Sequence, residues 1–292
     1  EAHASLGNAL KEMDRLEAAI ASYRKAIALN PDLAGAHTNL GNVLADLGSV
    51  DQAVAAYRIV LEIDPENFNA RHMAAALSGE TTAAAPAAYV RDLFDALAGN
   101  YDSYVQDQLE YGAPNAIRAL IEQCLDGEEV SFVDGLDLGC GTGLTGQASA
   151  DFAAGWVGVD LSPNMLAVAD EKNLYDELHA AEICDFLASL PDQLCFDLVL
   201  AGDVFAYTGD LDRLFEGVRR NISDDGVFAF TTEHADGGGY VLEPTGRYGH
   251  DDSYIRNLAA FRNFDIVGHD ERTIRVENGE PVIGSVFLLK PC

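Results

Sequence analysis

Two periodicities divide the chain. From Glu1 to Leu77 small and apolar side chains recur at helical spacing, and the whole pattern returns at a constant offset. Ala2-His3 recurs as Ala36-His37, Leu6-Gly7-Asn8 as Leu40-Gly41-Asn42, Leu10 as Leu44, Ala19 as Ala53, Tyr23 as Tyr57 and Pro31 as Pro65. Each unit reads as a helix pair, with Gly and Ala where backbones approach and Pro ending the second helix. Two such units are fewer than the three or so that usually stand alone. Asn67 to Leu77 offers a degenerate capping helix, with Ala70-Arg71-His72 standing where Ala36-His37-Thr38 stand. The sequence opens at Glu1, partway into a repeat, so it is expected to be a fragment of something longer.

Ser78 to Ala88 is small and nearly uncharged, punctuated by Gly79 and Pro86, and reads as a linker. Beyond it the period changes. Amphipathic helices are expected over 89–98 (Val90, Leu93, Phe94, Leu97) and 114–125 (Ile117, Leu120, Ile121, Leu125). Strands follow at 132–138, 156–160, 178–183, 196–201 and 226–232, with helices at 144–153, 163–171 and 209–221. Strand alternating with helix implies a parallel sheet covered on both faces. A last helix over 251–262 leads to two β-like segments, 264–274 and 282–290, and Glu277-Asn278-Gly279-Glu280 between them signals a hairpin. The organisation expected is a repeat module over 1–77, a linker over 78–88 and an α/β domain over 89–292.

Charge narrows the partners. The formal net charge is −30, from 48 acidic and 18 basic residues, and Lys11, Lys25, Lys172 and Lys290 are the only lysines. Such a surface repels phosphate backbones and anionic lipid, so no direct nucleic-acid or membrane partner is expected. A halophilic origin would give the same balance. No apolar run reaches the roughly 18–20 residues of a membrane span, and no signal peptide is expected. Cys124, Cys140, Cys184, Cys195 and Cys292 form no CxxC pair and no metal spacing, which fits free thiols in a reducing cytoplasm.

The chemistry-bearing run is Leu136-Asp137-Leu138-Gly139-Cys140-Gly141-Thr142-Gly143. An apolar strand that breaks into alternating glycines and then a helix brings bare backbone against a ligand. Asp137 would face any cationic group held over that turn. This run resembles motif I of the class I S-adenosylmethionine-dependent methyltransferases. Val159-Asp160-Leu161-Ser162-Pro163-Asn164-Met165-Leu166 is similar to the V-D-x-S-x-x-M-L that such enzymes commonly carry after their second strand. Residues 1–68 in turn resemble tetratricopeptide repeats, and the whole resembles bacterial methyltransferases preceded by such repeats. The resemblance implies a doubly wound, mostly parallel seven-stranded sheet ending in an antiparallel strand, and S-adenosyl-L-methionine as cofactor.

It also implies a site. Asp137, Gly139, Cys140, Gly141 and Gly143 would form the first part. Asp160 would accept from two ribose hydroxyls, because a carboxylate offers two acceptors in fork geometry. Leu161, Ser162 and Met165 open the next helix, where Leu161 and Met165 could pack on the adenine. Asp185, beside Phe186, would accept from the adenine amino group or cap a helix. Ala201 and Gly202 would lie under the sulfonium, and Tyr101, with Phe94, Tyr104 and Tyr111, would cover the cofactor.

Methyl transfer from a sulfonium needs water excluded, the nucleophile aligned and, for a hydroxyl, a proton removed. His250 is the candidate base, since its ordinary pKa lies near neutrality, with Tyr254 and Tyr104 as further catalytic candidates. Arg247-Tyr248-Gly249-His250-Asp251-Asp252-Ser253-Tyr254 resembles the R-Y-x-H-S-x-x-Y of the repeat-bearing enzymes, with Asp251 where Ser is usual. His250 at a loop–helix junction equally suits a structural role. The acceptor expected is a small molecule, or a group on a carrier or peptide, with a protein partner possible at the repeats. Two other readings stay open. One is a scaffold that holds the cofactor without chemistry. The other is an NAD(P)-dependent dehydrogenase, since Gly141-Thr142-Gly143-Leu144-Thr145-Gly146 also matches G-x-G-x-x-G, although a carboxylate at Asp137 would be unfavourable beside a pyrophosphate.

Overall fold

In the computed structural model the structure describes residues 1–109, 111–125, 131–191, 194–277 and 279–292. It falls into two compact units. One comprises Glu1–Pro86 with Leu242–Arg247, and the other Ala87–Val241 with Tyr248–Cys292.

The first unit is helical: α1 (Ala2–Glu12), α2 (Leu16–Leu29), α3 (Ala34–Asp46), α4 (Val50–Ile63) and α5 (Phe68–Ser78). The repeated Gly and Tyr explain one another. A Cβ at Gly7 would stand 2.4 Å from the Tyr23 ring, and one at Gly41 would stand 2.9 Å from Tyr57. Both tyrosines are fully buried, and their hydroxyls donate to Asn8 Oδ1 (2.9 Å) and Asn42 Oδ1 (2.6 Å). A glycine on the first helix of each pair thus makes the space that an aromatic ring on the second fills. Asn67 caps α5 by accepting from Ala70 N, and Gly79 ends it at φ +71°. The linker is therefore shorter than 78–88: Ser78 is the last residue of α5, and helix resumes at Ala87, directly after Pro86. Leu242–Arg247, which the sequence pattern assigns to the α/β domain, packs within this unit. Leu242 N donates to Thr81 Oγ1, and the Gly246 carbonyl meets His72 Nε2 at 2.8 Å.

The second unit begins with α6 (Ala87–Leu97), α7 (Tyr101–Gln108) and α8 (Ala113–Cys124). There follow β1 (Phe132–Leu138), α9 (Leu144–Ala148), β2 (Ala153–Asp160), α10 (Pro163–Glu171), β3 (Glu177–Ala180), α11 (Ile183–Ser189), β4 (Phe196–Ala201) and α12 (Asp212–Asn221). The chain continues as β5 (Ile222–His234), β6 (Tyr240–Leu242), β7 (Tyr248–His250), α13 (Asp252–Phe261), β8 (Phe264–Glu277) and β9 (Glu280–Pro291). The main sheet runs β3-β2-β1-β4-β5 in parallel, then β9 antiparallel to β5, and β8 antiparallel to β9 in turn. These are the seven strands expected, and the β8–β9 hairpin is present, its Asn278 lying outside the described residues. Two short strands are additional: β7 pairs with the end of β5 (Glu233 opposite Gly249), and β6 lies beyond it.

Both faces are buried, because alternate residues point to opposite sides. Phe228 and Phe230 of β5 join Phe205, Phe215, Phe264 and Phe287 on one face, while Val227 and Ala229 join Ile117, Ile121, Trp156 and Leu288 on the other. Several boundaries differ from the pattern. α9 stops at Ala148, with Ser149–Phe152 turning directly into β2. β3 ends at Ala180 rather than 183. The residues after it form α11, which begins where the Glu182 side chain accepts from Asp185 N. Among the described residues no helix is long and apolar enough to cross a membrane, and all five cysteines are free.

Candidate functional site

The carboxyl ends of β2, β1 and β4 lie side by side in the parallel sheet, the edge at which an open α/β sheet gathers its ligands. After β1 the backbone takes three alternate left-handed residues: Gly139 (φ +64°), Gly141 (φ +55°) and Gly143 (φ +88°). The turn is tied to β2 by Cys140 N donating to the Val159 carbonyl (3.0 Å) and Gly141 N donating to Asp160 Oδ2 (2.9 Å). A Cβ on Gly139 would lie 2.6 Å from Val204, and one on Gly143 3.0 Å from Tyr175. One on Gly141 would meet nothing within 4 Å. Gly141 is therefore the position where bare backbone faces open space. Burial pushes the Cys140 thiol well up, so it is not a thiolate nucleophile.

Asp137 is fully buried. Its Oδ2 accepts from Gly146 N (3.0 Å) and Tyr175 Oη (2.7 Å), while Oδ1 has no partner among the described residues. Burial raises its pKa to about 7 against the pull of those two bonds. A buried carboxylate oxygen without a donor is costly unless a ligand supplies one. The same carboxylate already answers the Gly146 N–H in the first turn of α9, which is where a dinucleotide would present its pyrophosphate. That geometry weighs against the dinucleotide reading.

Asp160 ends β2, with Oδ1 accepting from Ser162 N (2.8 Å), and burial raises its pKa too. Ser162 is consumed by structure: its Oγ accepts from Met165 N as the cap of α10 and donates to Asp95 Oδ1 (2.5 Å). Met165 is buried, and Leu161 near it in sequence is half-buried. Phe186 is buried against His179, but Asp185 points to solvent in the first turn of α11 and lies 3.9 Å from Arg213. The capping role considered for Asp185 belongs to Glu182, because β3 ends earlier than the apolar pattern suggests. Ala201 is buried at the end of β4, and Gly202 is required there, since a Cβ would lie 2.3 Å from Thr145 Oγ1.

Tyr101 stands among Asp203, Tyr207, Arg275 and Asp160, its phenol pushed well up by burial first and by Asp203 second. Phe94 packs edge-on to it (6.0 Å between centroids) and to Tyr207 (5.3 Å). Tyr104, one turn further along α7, is a surface residue, 36% exposed. His250 is 0% exposed in β7, with Nε2 on the Gly209 carbonyl (3.0 Å) and burial holding its pKa down at about 4. Tyr254 stacks on it at 5.9 Å, and its hydroxyl accepts from Leu211 N (2.9 Å). His250 and Tyr254 together clamp residues 209–211 of the segment after β4. This is a positioning geometry rather than that of a base open to an acceptor.

The sequence pattern does not reveal a buried ion cluster at the end of β4. Asp203 holds φ +58°, a left-handed conformation that is sparsely used by non-glycine residues. Arg275 of β8, 2% exposed, reaches it with Nη1 and reaches Glu233 of β5 with Nη2 (2.5 Å). Tyr111 lies beside the same group, its phenol raised by burial and by Asp203. An acid just after β4 and an arginine in β8 share no local spacing, so no pattern could link them.

The comparisons with known proteins bear on the family and the fold. Residues 136–228 match a family model described as a methyltransferase domain, while 7–48 and 34–67 match models of the TPR and tetratricopeptide repeat. The malonyl-[acyl-carrier protein] O-methyltransferase of Acetivibrio thermocellus is 28% identical over 141 residues, which cover 48% of this chain and 47% of that protein. The enzyme of that name from Geobacter sulfurreducens is 33% identical over 145 residues, covering 48% and 51%. The chain thus spans about half the length of the curated relatives it matches. Magnesium protoporphyrin IX methyltransferase from Synechocystis PCC 6803, solved with bound SAH, superposes with a TM-score of 0.53 at 16% identity, over 70% of this chain and 99% of that one. At that identity the likeness is one of fold.

Proposed function

A chain that joins tetratricopeptide repeats to a class I methyltransferase domain is the premise from which we propose an S-adenosylmethionine-dependent methyltransferase acting on a small-molecule acceptor or on one presented by a carrier or peptide. The observation that carries the cofactor assignment is the unpartnered, fully buried Asp137 Oδ1 at the foot of a turn whose Gly141 opens onto empty space. Asp137 suits an ammonium group, the 139–143 backbone suits close approach, and Asp160 suits a ribose diol through lone pairs left after its two backbone bonds. Glu182, two residues beyond β3 and the cap of α11, is better placed than the exposed Asp185 to read an adenine edge. When bound, the cofactor supplies an activated methyl group.

The chain's own contribution is placement and exclusion of water. Phe94, Tyr101 and Tyr207 roof the cleft, and Gly202 with Asp203 floors its other side. Asp203 is better suited to orient an acceptor than to deprotonate it, because Arg275 stabilises its ionised form. His250 and Tyr254 hold the 209–211 segment in place. The carrier-bound substrates named for the curated relatives support a carrier-presented acceptor here, with the repeats as its docking module. The free thiols fit a cytoplasmic setting.

Calorimetric titration with S-adenosylhomocysteine and with NAD tests the reading. Micromolar binding of the former alone is expected, lost in Asp160→Ala. Binding of NAD, or of neither, would overturn it. Release of S-adenosylhomocysteine that depends on added acceptor would separate an enzyme from a scaffold.

A further inference from the structure

The roof of the proposed cleft, α6 and α7, is fastened at two points by carboxylates. Asp102, in the first turn of α7, accepts from Thr142 Oγ1 (2.5 Å) and from Lys172 Nζ (2.8 Å). Thr142 sits between Gly141 and Gly143 inside the glycine turn and is almost fully buried. Lys172 lies directly after α10. One side chain therefore ties the roof to both walls of the cleft. Asp95 of α6 makes the second fastening. It accepts from Ser162 Oγ (2.5 Å) and Asn164 N (3.3 Å), and its backbone carbonyl accepts from Asn164 Nδ2 (3.2 Å).

These ties matter because packing holds the roof unevenly: Ala98 and Val105 are buried, but α6 contributes little. Although α6 is amphipathic, none of its residues is fully buried. A segment with little buried apolar surface is drawn from the low-stability end of a fold and opens locally at small cost. Its seat then depends on the few polar bonds at its edges. Asp102 and Asp95 supply two of those bonds, beside the backbone bond from Val276 N to the Leu109 carbonyl just after α7, and Tyr101, adjacent to Asp102, stands among Asp203, Tyr207, Arg275 and Asp160. Opening the roof would withdraw Tyr101 and Phe94 together and release the hydroxyl of Thr142 from its carboxylate.

We propose that Asp102 is a positioning residue whose latch on Thr142 sets the residence time of the bound cofactor, with Asp95 as a second latch on the start of α10. This rests on the reading of the cleft as an S-adenosylmethionine site. Opening is the exchange step, and closure couples the roof to the conformation of the glycine turn.

The test is the dissociation rate of tritiated S-adenosylhomocysteine, chased with excess unlabelled compound, from the full chain. Asp102→Ala and Thr142→Val should each release it roughly ten- to a hundredfold faster, the range for a lost hydrogen bond to a charged group. The double variant should be no faster than the faster single, since both remove one latch. Asp102→Asn, whose amide oxygen still accepts from Thr142, should restore most of the residence time. Melting temperatures of the ligand-free variants should stay close to that of the parent. Parental release rates in both single variants, or rates that multiply in the double, would overturn the latch. Should Asp102→Ala fail to fold, Thr142→Val alone decides, because it breaks the bond from the other side. Failure of the parent chain to bind S-adenosylhomocysteine at all is a different result, which removes the cofactor assignment itself.

Discussion

Arg275 Nη1 donates to both carboxylate oxygens of Asp203, at 2.9 and 3.0 Å, joining a residue of the edge hairpin to the end of a central strand. Glu233 takes the other end of the guanidinium, and Glu277 lies 3.6 Å from Nε. A buried charge is tolerable only while its partners remain, and removing one leaves the others uncompensated. Arg275→Met is expected to lower unfolding stability by about 3–5 kcal/mol, measured by urea titration. Adding Asp203→Asn and Glu233→Gln to it should recover part of that loss. A loss within about 0.5 kcal/mol, the usual range for surface changes, would mean that the cluster contributes little to the fold.

On the proposed reading, Asp137 should give ligand affinity a pH dependence. Its carboxyl is raised to about 7 by burial, so the free protein keeps the proton up to neutrality while the unfolded chain sheds it near 3.8. The stability this proton confers is full below 3.8 and is lost as pH rises through 7. A ligand ammonium favours the ionised form, so affinity for S-adenosylhomocysteine should climb with pH below about 7, by at most about tenfold per unit, and then level. Calorimetry from pH 5.5 to 8.5 checks this, and Asp137→Asn should bind weakly with a flat profile.

On the proposed reading, substitutions in the glycine turn should separate folding from binding. Gly141→Ala places a methyl in open space and should leave the melting temperature within a few degrees, apart from about 1 kcal/mol of left-handed strain. Its affinity for S-adenosylhomocysteine should nonetheless fall by roughly tenfold or more. Gly139→Ala adds a clash with Val204 at 2.6 Å to the same strain and should mainly destabilise. Thermal scans with and without ligand distinguish the two.

His250 should appear in the acid limb of stability. Burial holds its pKa at about 4 against the ordinary 6.5, so below 6.5 the unfolded chain takes up a proton that the folded one refuses. Stability attributable to this residue is therefore present above 6.5 and lost as pH falls towards 4, by about 3 kcal/mol in all. His250→Phe should be roughly 1–3 kcal/mol less stable than the parent at pH 8, where the Gly209 carbonyl loses its donor. The gap should narrow or reverse by pH 4.5 in chemical unfolding experiments.

Much of the architecture can be read from the chain because strong local constraints write themselves into residue type. The return of Gly7 and Tyr23 as Gly41 and Tyr57 reflects a ring that must fill the space a missing Cβ leaves. Leu136, Leu138, Val157 and Val159 mark strands covered on both faces, and the structure brings Asp137, Gly139, Gly141 and Asp160 together within a few hydrogen bonds. Strands as short as β6 and β7 carry too little alternation to be seen. The end of β3 is obscured because Ala180-Ala181-Glu182-Ile183 suits strand and helix alike. Side chains that meet only through the fold lie beyond reach: Arg275 with Asp203, and Asp102 with Thr142. His250 stands out by its chemistry, yet what defines it is the Gly209 carbonyl, a backbone atom that leaves no mark in sequence.

The placement of Leu242–Arg247 with the helical unit bears on any attempt to take the protein apart. The polypeptide leaves the α/β unit at the end of β6 and re-enters it at β7, so one scission at Pro86 does not yield two whole pieces. A fragment beginning at Ala87 would keep that segment but forfeit Thr81 Oγ1 and His72 Nε2, to which it bonds. Expression of the α/β unit alone calls for replacing 242–247 with a short turn between β6 and β7, whereas simple truncation would leave an unmoored hairpin exposed to proteases.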